Sequence, residues 1–300
     1  MSDLTRRLLL KAIGGALGLA AVAKALAPLR ADGEETTVEG FLRKSYRDLS
    51  PEEIQSLIVH LEEMTRRVHG VDVTIRDAPP IPGVEFGFAL NLSVCTGCRA
   101  CVAACHRENN HDRPSAESYI RVLEMTQGSL DLAHSTTTYD HPVPAPGKFY
   151  MPVQCMQCRN PPCVRACPVG ATWQQADGIT VTDYNWCIGC RYCEVACPYH
   201  ARRFNWTTPE IPAAEINPDQ ALLANTLRPR GVDEKCHFCL HRVRDGRLPA
   251  CLEACPTGAR VFGDLRDPNS EICRVLAERR TFALREEAGT APRFFYFFED

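Results

Sequence analysis

The sequence lacks the features that mark several common functional classes. It has no excess of positive charge, because 34 Lys and Arg residues are balanced by 37 Asp and Glu for a formal net charge of −3. A nucleic-acid-binding surface needs a concentrated basic face, so we expect no nucleic acid among the partners. The chain also lacks a phosphate-cradling glycine loop, a motif with paired carboxylates and a nucleophile–base signature. We therefore predict no catalytic residues.

Long apolar runs are absent as well. The most apolar stretch, Ala12–Ala23, is flanked by lysines and is too short for a membrane helix, which takes about 20 residues. Its length suits the apolar part of an export signal, and Arg6 and Arg7 ahead of it are typical of a twin-arginine signal. The alternative is an ordinary amphipathic helix with a basic start. We expect residues 1–31 to be the signal and the rest to lie on the periplasmic side of the cytoplasmic membrane.

Cysteine, by contrast, is abundant. The chain has 17 cysteines and 45% apolar residues, and a core of that size does not need disulfide staples. Sixteen form four groups of four: Cys95, Cys98, Cys101 and Cys105; Cys155, Cys158, Cys163 and Cys167; Cys187, Cys190, Cys193 and Cys197; and Cys236, Cys239, Cys251 and Cys255. The first and third groups read C-x-x-C-x-x-C-x-x-x-C, and proline follows the last cysteine of groups two, three and four. This is the ligand run of bacterial ferredoxins.

The spacing gives this assignment a physical basis. Three thiols at steps of three residues can curl around one [4Fe–4S] cubane, each binding a different iron. The fourth thiol cannot reach that cubane once the chain turns into a helix, so it binds the neighbouring cluster. Sixteen thiols therefore predict four [4Fe–4S] clusters as cofactors. The remaining cysteine, Cys273, lies in the predicted helix Ser270–Arg280 and is expected to be a free, half-buried thiol.

Two other uses of the thiols are alternatives. Disulfides fit an odd number of cysteines and dense C-x-x-C pairs poorly. Zinc is an alternative for the fourth group, where eleven residues separate Cys239 from Cys251. Zinc does not explain the two full ferredoxin runs, because a tetrahedral site has no use for the extra thiol. Iron–sulfur clusters also agree with the export signal, because clusters are assembled in the reducing cytoplasm and the twin-arginine route exports folded proteins.

Residues 32–83 are predicted to form a linker followed by a helix. Ser50 is the N-cap, Pro51 stands in the first turn, Glu53 completes a capping box and Gly70 ends the helix. The helix carries an apolar stripe that must be buried. Its members are Ile54, Leu57, Ile58, Leu61 and Met64. The stripe either packs on the cysteine-rich domain or docks on a partner subunit.

Residues 84–300 form the predicted cluster domain, with loop-rich inserts at about 108–148 and 205–233 that carry short strands. Ala171–Asp183 reads as a hairpin with its turn at Ala176-Asp177-Gly178. The aromatic run Phe294–Phe298 reads as a strand. That strand either closes a sheet edge within the domain or meets a partner, because an exposed aromatic edge would invite aggregation.

This combination of motifs resembles a known family. Four ferredoxin-type groups behind a twin-arginine signal are similar to the electron-transfer subunits of the complex iron–sulfur molybdoenzyme family, of the dimethyl sulfoxide, polysulfide and tetrathionate reductase type, with relatives in alternative complex III. The resemblance covers about Gly87–Phe262, and CIGCRYCEVACPYHARRFNW and CHFC…CLEACPTGAR look like the family's third and fourth groups. It implies an α+β fold of two bacterial-ferredoxin-type dicluster modules, in which the outer cysteine groups enclose the inner pair, with an N-terminal helical extension.

The resemblance also implies crossed ligation. One cluster would be bound by Cys95, Cys98, Cys101 and Cys255, and a second by Cys105, Cys236, Cys239 and Cys251. A third would be bound by Cys155, Cys158, Cys163 and Cys197, and the fourth by Cys167, Cys187, Cys190 and Cys193. One departure is that His106, not proline, follows Cys105. We expect His106, and His237 in the fourth group, to be solvated or bonded to backbone.

The function implied by the resemblance is electron transfer by a non-catalytic redox subunit. It would relay electrons between an integral membrane quinone-binding subunit of polysulfide-reductase type and a molybdopterin or multihaem cytochrome subunit of a respiratory complex. A diffusible periplasmic polyferredoxin and a zinc-rich structural protein are the alternatives. Seven arginines in or beside the cysteine runs either offset the negative charge of the clusters or are ordinary solvated residues. They are Arg99, Arg107, Arg159, Arg165, Arg191, Arg202 and Arg203.

Overall fold

The computed structural model describes residues 45–115 and 118–299. The signal expected at residues 1–31 lies outside the described residues, as does the first part of the predicted linker. Within the described ranges the α-helices are α1 (Pro51–His69), α2 (Ala100–Glu108), α3 (Pro162–Arg165), α4 (Tyr192–Val195), α5 (Leu240–Val243), α6 (Ala250–Glu253) and α7 (Glu271–Glu278). The strands are β1 (Thr74–Arg76), β2 (Phe86–Asn91), β3 (Arg121–Thr126), β4 (Lys148–Val153), β5 (Thr172–Gln174), β6 (Thr180–Thr182), β7 (Arg202–Phe204), β8 (Asp219–Ala221), β9 (Asp233–Lys235), β10 (Arg260–Asp264), β11 (Thr281–Phe282) and β12 (Phe294–Phe297). This mixture of helices and strands is the α+β composition that we expected.

Helix α1 begins and ends where the sequence predicts. The Ser50 side chain accepts a hydrogen bond from the Glu53 N–H, the Glu53 carboxylate accepts one from the Ser50 N–H, and Gly70 ends the helix at a φ of 68°. Four members of the apolar stripe of α1 pack within the chain, with Ile58 only 5% exposed and Ile54, Leu57 and Leu61 half-buried beside it. The fifth, Met64, is exposed. The small core around Ile58 contains Val73, Ile75, Ile216 and Leu222. Most of the stripe therefore serves packing within the chain.

The largest sheet has four strands in the order β10-β2-β12-β11. Strand β12 lies inside this sheet, parallel to β2 and antiparallel to β11. Its residues Phe294, Tyr296 and Phe297 are buried, whereas Phe298 beyond the strand is exposed. Of the two interpretations of this aromatic run, the structure supports internal closure of the sheet.

The other strands form two-stranded pairs. Strands β5 and β6 form the hairpin predicted over Ala171–Asp183, with Gly178 at a φ of 79° in its turn. Strands β3–β4 and β7–β9 are antiparallel, and β1–β8 is parallel. Strands β3 and β8 are the short strands that the two inserts contribute. Among the described residues, no helix is both long and apolar enough to cross a bilayer.

Candidate iron–sulfur sites

Each cysteine group begins with a loop that turns at the residue before its second cysteine. That residue has a positive φ in all four groups: Gly97 (75°), Gln157 (44°), Gly189 (73°) and Phe238 (55°). Left-handed backbone next to right-handed backbone creates concavities of N–H groups that favour anions. In the fourth group the Phe238 N–H donates to the thiol two residues before it, at 3.4 Å. The chain thus supplies a donor where a cluster-bound cysteine sulfur would carry negative charge.

Three cavities of the described structure are each lined by four cysteines, three from one group and the fourth from another group. We name the cysteine sets in the order of the argument. Set A is Cys95, Cys98, Cys101 and Cys255. Set B is Cys105, Cys236, Cys239 and Cys251. Set C is Cys155, Cys158, Cys163 and Cys197. The structure therefore brings together three of the four sets that the family resemblance implies.

The fourth set, set D, is Cys167, Cys187, Cys190 and Cys193. Burial raises the pKa of Cys187, and the neighbouring Cys167 thiol adds to this effect. Burial also raises the pKa of Cys193, with Cys187 again contributing. Cys190 is exposed. Cys187 thus interacts electrostatically with both Cys167 and Cys193, and Cys190, the fourth member of set D, lies at the surface.

The thiols of sets A, B and C surround a space. Within residues 45–115 and 118–299, no three His, Cys, Asp or Glu side chains converge as ligands of a single metal ion. Four thiols around a cavity are the donor set of a [4Fe–4S] cubane, with one thiolate for each iron. The residues present therefore fit this cofactor.

Burial suppresses ionisation of most of these thiols. It raises the pKa of Cys95 to about 11 and the pKa values of Cys158 and Cys236 to about 12. A thiolate at these positions needs a compensating positive charge, which a metal core supplies. For Cys255, burial also acts to raise the pKa, but hydrogen bonds from Thr257 and the Ala259 N–H outweigh it and lower the pKa.

Electrostatic interactions between neighbouring sets give them a linear order. The Arg260 guanidinium faces thiols of set A and of set B. Sets B and C are neighbours, because the thiols of Cys236 and Cys155 interact electrostatically. The Arg202 guanidinium faces thiols of set C and of set D. The resulting order is A, B, C, D.

Three cations lie buried near these junctions, and only Arg202 was among the candidates predicted from sequence. Arg202, Lys235 and Arg260 are 1%, 2% and 5% exposed. Arg202 and Arg260 each stand five residues after the last cysteine of their group, a repeated spacing that could have identified both. Lys235 directly precedes Cys236 and lines the cavity of set C. Its burial alone distinguishes it from other lysines.

The other six candidate arginines have different roles or are exposed. Arg159 pairs with Glu85 at 2.8 Å, and Arg99 lies over the Tyr139 ring at 3.7 Å. Arg191 lies over the ring of Trp206, and Arg203 donates to backbone carbonyls. Arg107 and Arg165 are exposed. Arg99 also lines the cavity of set A. The offset of cluster charge therefore stays a prediction, with Arg202 and Arg99 as the arginines that lie beside thiol-lined cavities.

The two histidines beside cysteines differ in burial. His106 is half-buried, with its ring edge-on to His111 at 4.9 Å between centroids. The Leu240 N–H donates to His237 Nδ1 at 3.3 Å, so the expectation of a backbone-bonded histidine is confirmed there. Burial lowers the pKa of His237 well below its usual value.

Cys273 stays apart from the four sets. It lies in α7, whose N-cap Ser270 accepts a hydrogen bond from the Cys273 N–H, so the predicted helix is confirmed. The thiol is free and half-buried, and it contacts the carbonyls of Asp264 and Leu265. This is the environment that the sequence predicts.

Comparison with known proteins agrees with the site chemistry. Residues 147–221 and 214–265 match the 4Fe-4S dicluster domain family. These ranges contain cysteine groups two, three and four. The class defined by the fold and the thiol-lined cavities is therefore that of 4Fe–4S iron–sulfur proteins.

Individual relatives define the family. The chain is 43% identical over 216 residues to the iron–sulfur subunit of a dimethyl sulfoxide reductase from Halobacterium salinarum, and the match covers 71% of this chain and 78% of that protein. It is 35% identical to a selenate reductase subunit of Mesobacillus selenatarsenatis over 97% of this chain and 96% of that protein. It is 38% identical to the iron–sulfur cluster-binding subunit of menaquinone reductase from Nitratidesulfovibrio vulgaris over 71% and 88%. The chain belongs to the iron–sulfur electron-transfer subunits of the complex iron–sulfur molybdoenzyme family.

Proposed function

We propose that this chain binds four [4Fe–4S] clusters, one in each of sets A to D, and relays electrons through them in series. The observation that carries the proposal is the exposure of the thiols along the series. Among the cysteines of the described residues, Cys98 in set A and Cys190 in set D are exposed, and those of sets B and C are buried or half-buried. A relay needs accessible ends, where partners exchange electrons, and a protected middle. The two-module arrangement with crossed ligation is part of this proposal.

Exposed apolar side chains beside set D favour stable docking over free diffusion. They are Ile188, Tyr192, Val195 and Trp206, and we call them the set D patch. Clustered exposed apolar residues mark interaction surfaces. The two features that suggested docking from sequence, the α1 stripe and the aromatic run, are packed internally except for Met64 and Phe298, so the set D patch replaces them as support. A diffusible polyferredoxin is the weaker alternative.

The partners follow from the family. We propose a polysulfide-reductase-type membrane quinone-binding subunit at one end of the series and a molybdopterin or multihaem cytochrome subunit at the other. Relatives named as subunits of dimethyl sulfoxide reductase and menaquinone reductase support this choice. The chain itself would be a non-catalytic, peripheral subunit of a respiratory complex.

The periplasmic location rests on Arg6 and Arg7. We expect that replacing both with lysine leaves the folded protein in the cytoplasm, because the twin-arginine signal is lost. Unchanged export of that variant would contradict the proposed location.

The function is tested by cluster content and by the mass of the native assembly. Anaerobically purified protein should contain about sixteen irons per chain, four for each cubane, with matching acid-labile sulfide. In native gels of solubilised membranes, the chain should migrate within a larger complex. About twelve irons, or zinc in place of iron, would contradict the four-cluster assignment, and migration as a single chain would favour the diffusible carrier.

A further inference from the structure

The two junction arginines occupy equivalent places in a repeated sequence. Arg202 ends the segment C-P-Y-H-A-R after Cys197, and Arg260 ends C-P-T-G-A-R after Cys255. Each arginine is the first residue of a strand, β7 for Arg202 and β10 for Arg260. The same local chain path therefore brings one guanidinium into the interior at each junction.

Each guanidinium interacts electrostatically with thiols of two neighbouring sets. Arg260 lines the cavity of set A, and its Nη1 donates to the Cys251 thiol of set B at 3.7 Å and to Gln154 Oε1 at 3.0 Å. Arg202 lines the cavity of set C and has Cys193 of set D among the thiols that face it. Each arginine is therefore placed between the two sets of one predicted module.

Both arginines keep a buried donor without a partner. Arg260 Nη2 and Arg202 Nε have no hydrogen-bond acceptor within the described part of the chain. Burial opposes the charge of Arg260, but the thiols of Cys101 and Cys251 outweigh this effect and raise its pKa. Buried donors are normally satisfied, and a cluster in the adjacent cavity would bring both sulfur acceptors and negative charge.

The surroundings of the two arginines differ most in their charged partners. Arg202 also forms an ion pair with Asp233 at 2.9 Å. The positive charge of Lys235 interacts with the same carboxylate. Arg260 instead contacts a neutral amide, thiols and the face of the Phe88 ring. Arg260 is therefore the cleaner position at which to remove a charge.

We propose that Arg260 and Arg202 each hold a fixed positive charge between two adjacent clusters and raise the reduction potentials of both. This inference rests on the proposed function, because it requires a cluster on each side of the guanidinium. In the step itself, one electron leaves a reduced cluster and enters its oxidised neighbour, with no bond formed or broken and no proton moved. Reduction adds one negative charge to a cluster, so a nearby cation favours the reduced form.

The test is a redox titration of the full-length holoprotein, monitored by electron paramagnetic resonance. Cys95→Ser and Cys236→Ser identify the signals of sets A and B. We expect Arg260→Gln to lower the equilibrium constant for reduction of the clusters in sets A and B at least tenfold. This corresponds to a fall of 59 mV in the reduction potential of a one-electron couple. Arg260→Lys should keep both potentials close to those of the unmodified protein, because it keeps the charge. Signals of sets C and D should not move.

Arg165→Gln is the matched control, because Arg165 lies between two cluster cysteines in sequence but is exposed; it should leave all four potentials unchanged. Unshifted A and B signals in an iron-replete Arg260→Gln protein would overturn the inference, as would an equal shift in Arg260→Lys. If Arg260→Gln loses iron, Arg202→Gln provides the same test on the C and D signals. Fewer than four cluster signals in the unmodified protein would instead contradict the proposed function.

Discussion

Gly189 precedes the second cysteine of its group and has a φ of 73°. A Cβ at this position would lie 2.2 Å from the carbonyl oxygen of Gly231, and one at Gly97 would lie 2.4 Å from the Tyr150 ring. Gln157 and Phe238 carry side chains at the equivalent positions despite a positive φ. Glycine is therefore required beside sets A and D by close packing of the loop more than by the backbone angle alone.

We expect Gly189→Ala to destabilise the protein by more than the roughly 1–2 kcal/mol that a left-handed conformation costs an L-residue. The added Cβ must displace the loop that holds Cys187 and Cys190, so iron should fall by about one cluster, or four atoms. Gly246→Ala is the control, because Gly246 has a φ of 74° and open space around it. Denaturation midpoints and iron content measure both effects. Equal losses in the two variants would contradict the packing argument.

Crossed ligation can be tested by single cysteine substitutions. We expect Cys105→Ser to alter the same paramagnetic signal as Cys236→Ser, because both thiols line the cavity of set B. Cys255→Ser should alter the signal shared with Cys95→Ser, because both line the cavity of set A. Spectra must be recorded on protein that still folds, since cluster binding contributes folding energy. A Cys105→Ser protein that changes only the Cys95 signal would contradict the two-module proposal.

Among the elements, α1 and the chain around it connect distant parts of the cluster domain. Before the helix, the Tyr46 N–H donates to Asp183 at 2.9 Å, and Asp183 accepts from the Cys187 N–H at its carbonyl. After the helix, Arg76 of β1 donates to the carbonyl of His241 at 2.8 Å. The segment thus contacts the chain near set D at one end and near set B at the other. Its role is to hold these regions together.

The packing of α1 can be tested without touching the clusters. We expect Ile58→Ala to cost about 2–4 kcal/mol, because it leaves a cavity in the small core beneath the helix. Val68→Ala, on the same helix at a residue that is 64% exposed, should change the free energy of unfolding by less than about 0.5 kcal/mol. Chemical denaturation measures both. Cluster spectra of the folded Ile58→Ala protein should be unchanged, and altered spectra would indicate that α1 acts on the clusters directly.

Local signals in the sequence were enough to predict α1, the β5–β6 hairpin and α7, because caps, turns and periodicity act over a few residues. The parallel pairing of β1 with β8 joins residues far apart in the chain and has no local signal. The same distinction applies to the sites. Cysteine spacing predicts the ligand groups, and the repeated spacing after the last cysteine could also have identified Arg260. Lys235 is recognised only when the fold places it beside thiols.

At the scale of the whole molecule, the middle of the cluster series and its two ends differ in charge and exposure. Each oxidised cluster with four thiolates adds about −2, so four clusters would bring the formal charge from −3 to about −11. Most of this charge would lie where water cannot screen it, which explains why arginine and lysine are buried at the junctions. The ends differ, because Cys98 and Cys190 reach the surface. Partners that cover these ends would also shield the terminal clusters from water.

The set D patch allows docking to be tested on the whole complex. We expect Val195→Glu to fold and retain iron, because Val195 is 86% exposed in α4, yet to bind the membrane complex at least tenfold more weakly. An unpaired charge buried in an interface costs several kcal/mol, and about 1.4 kcal/mol already corresponds to a tenfold loss of affinity. Val68→Glu places the same charge on α1, away from set D, and should leave assembly unchanged. The fraction of the chain that migrates with the solubilised complex in native gels measures the effect, and equal assembly of both variants would show that the partner docks elsewhere.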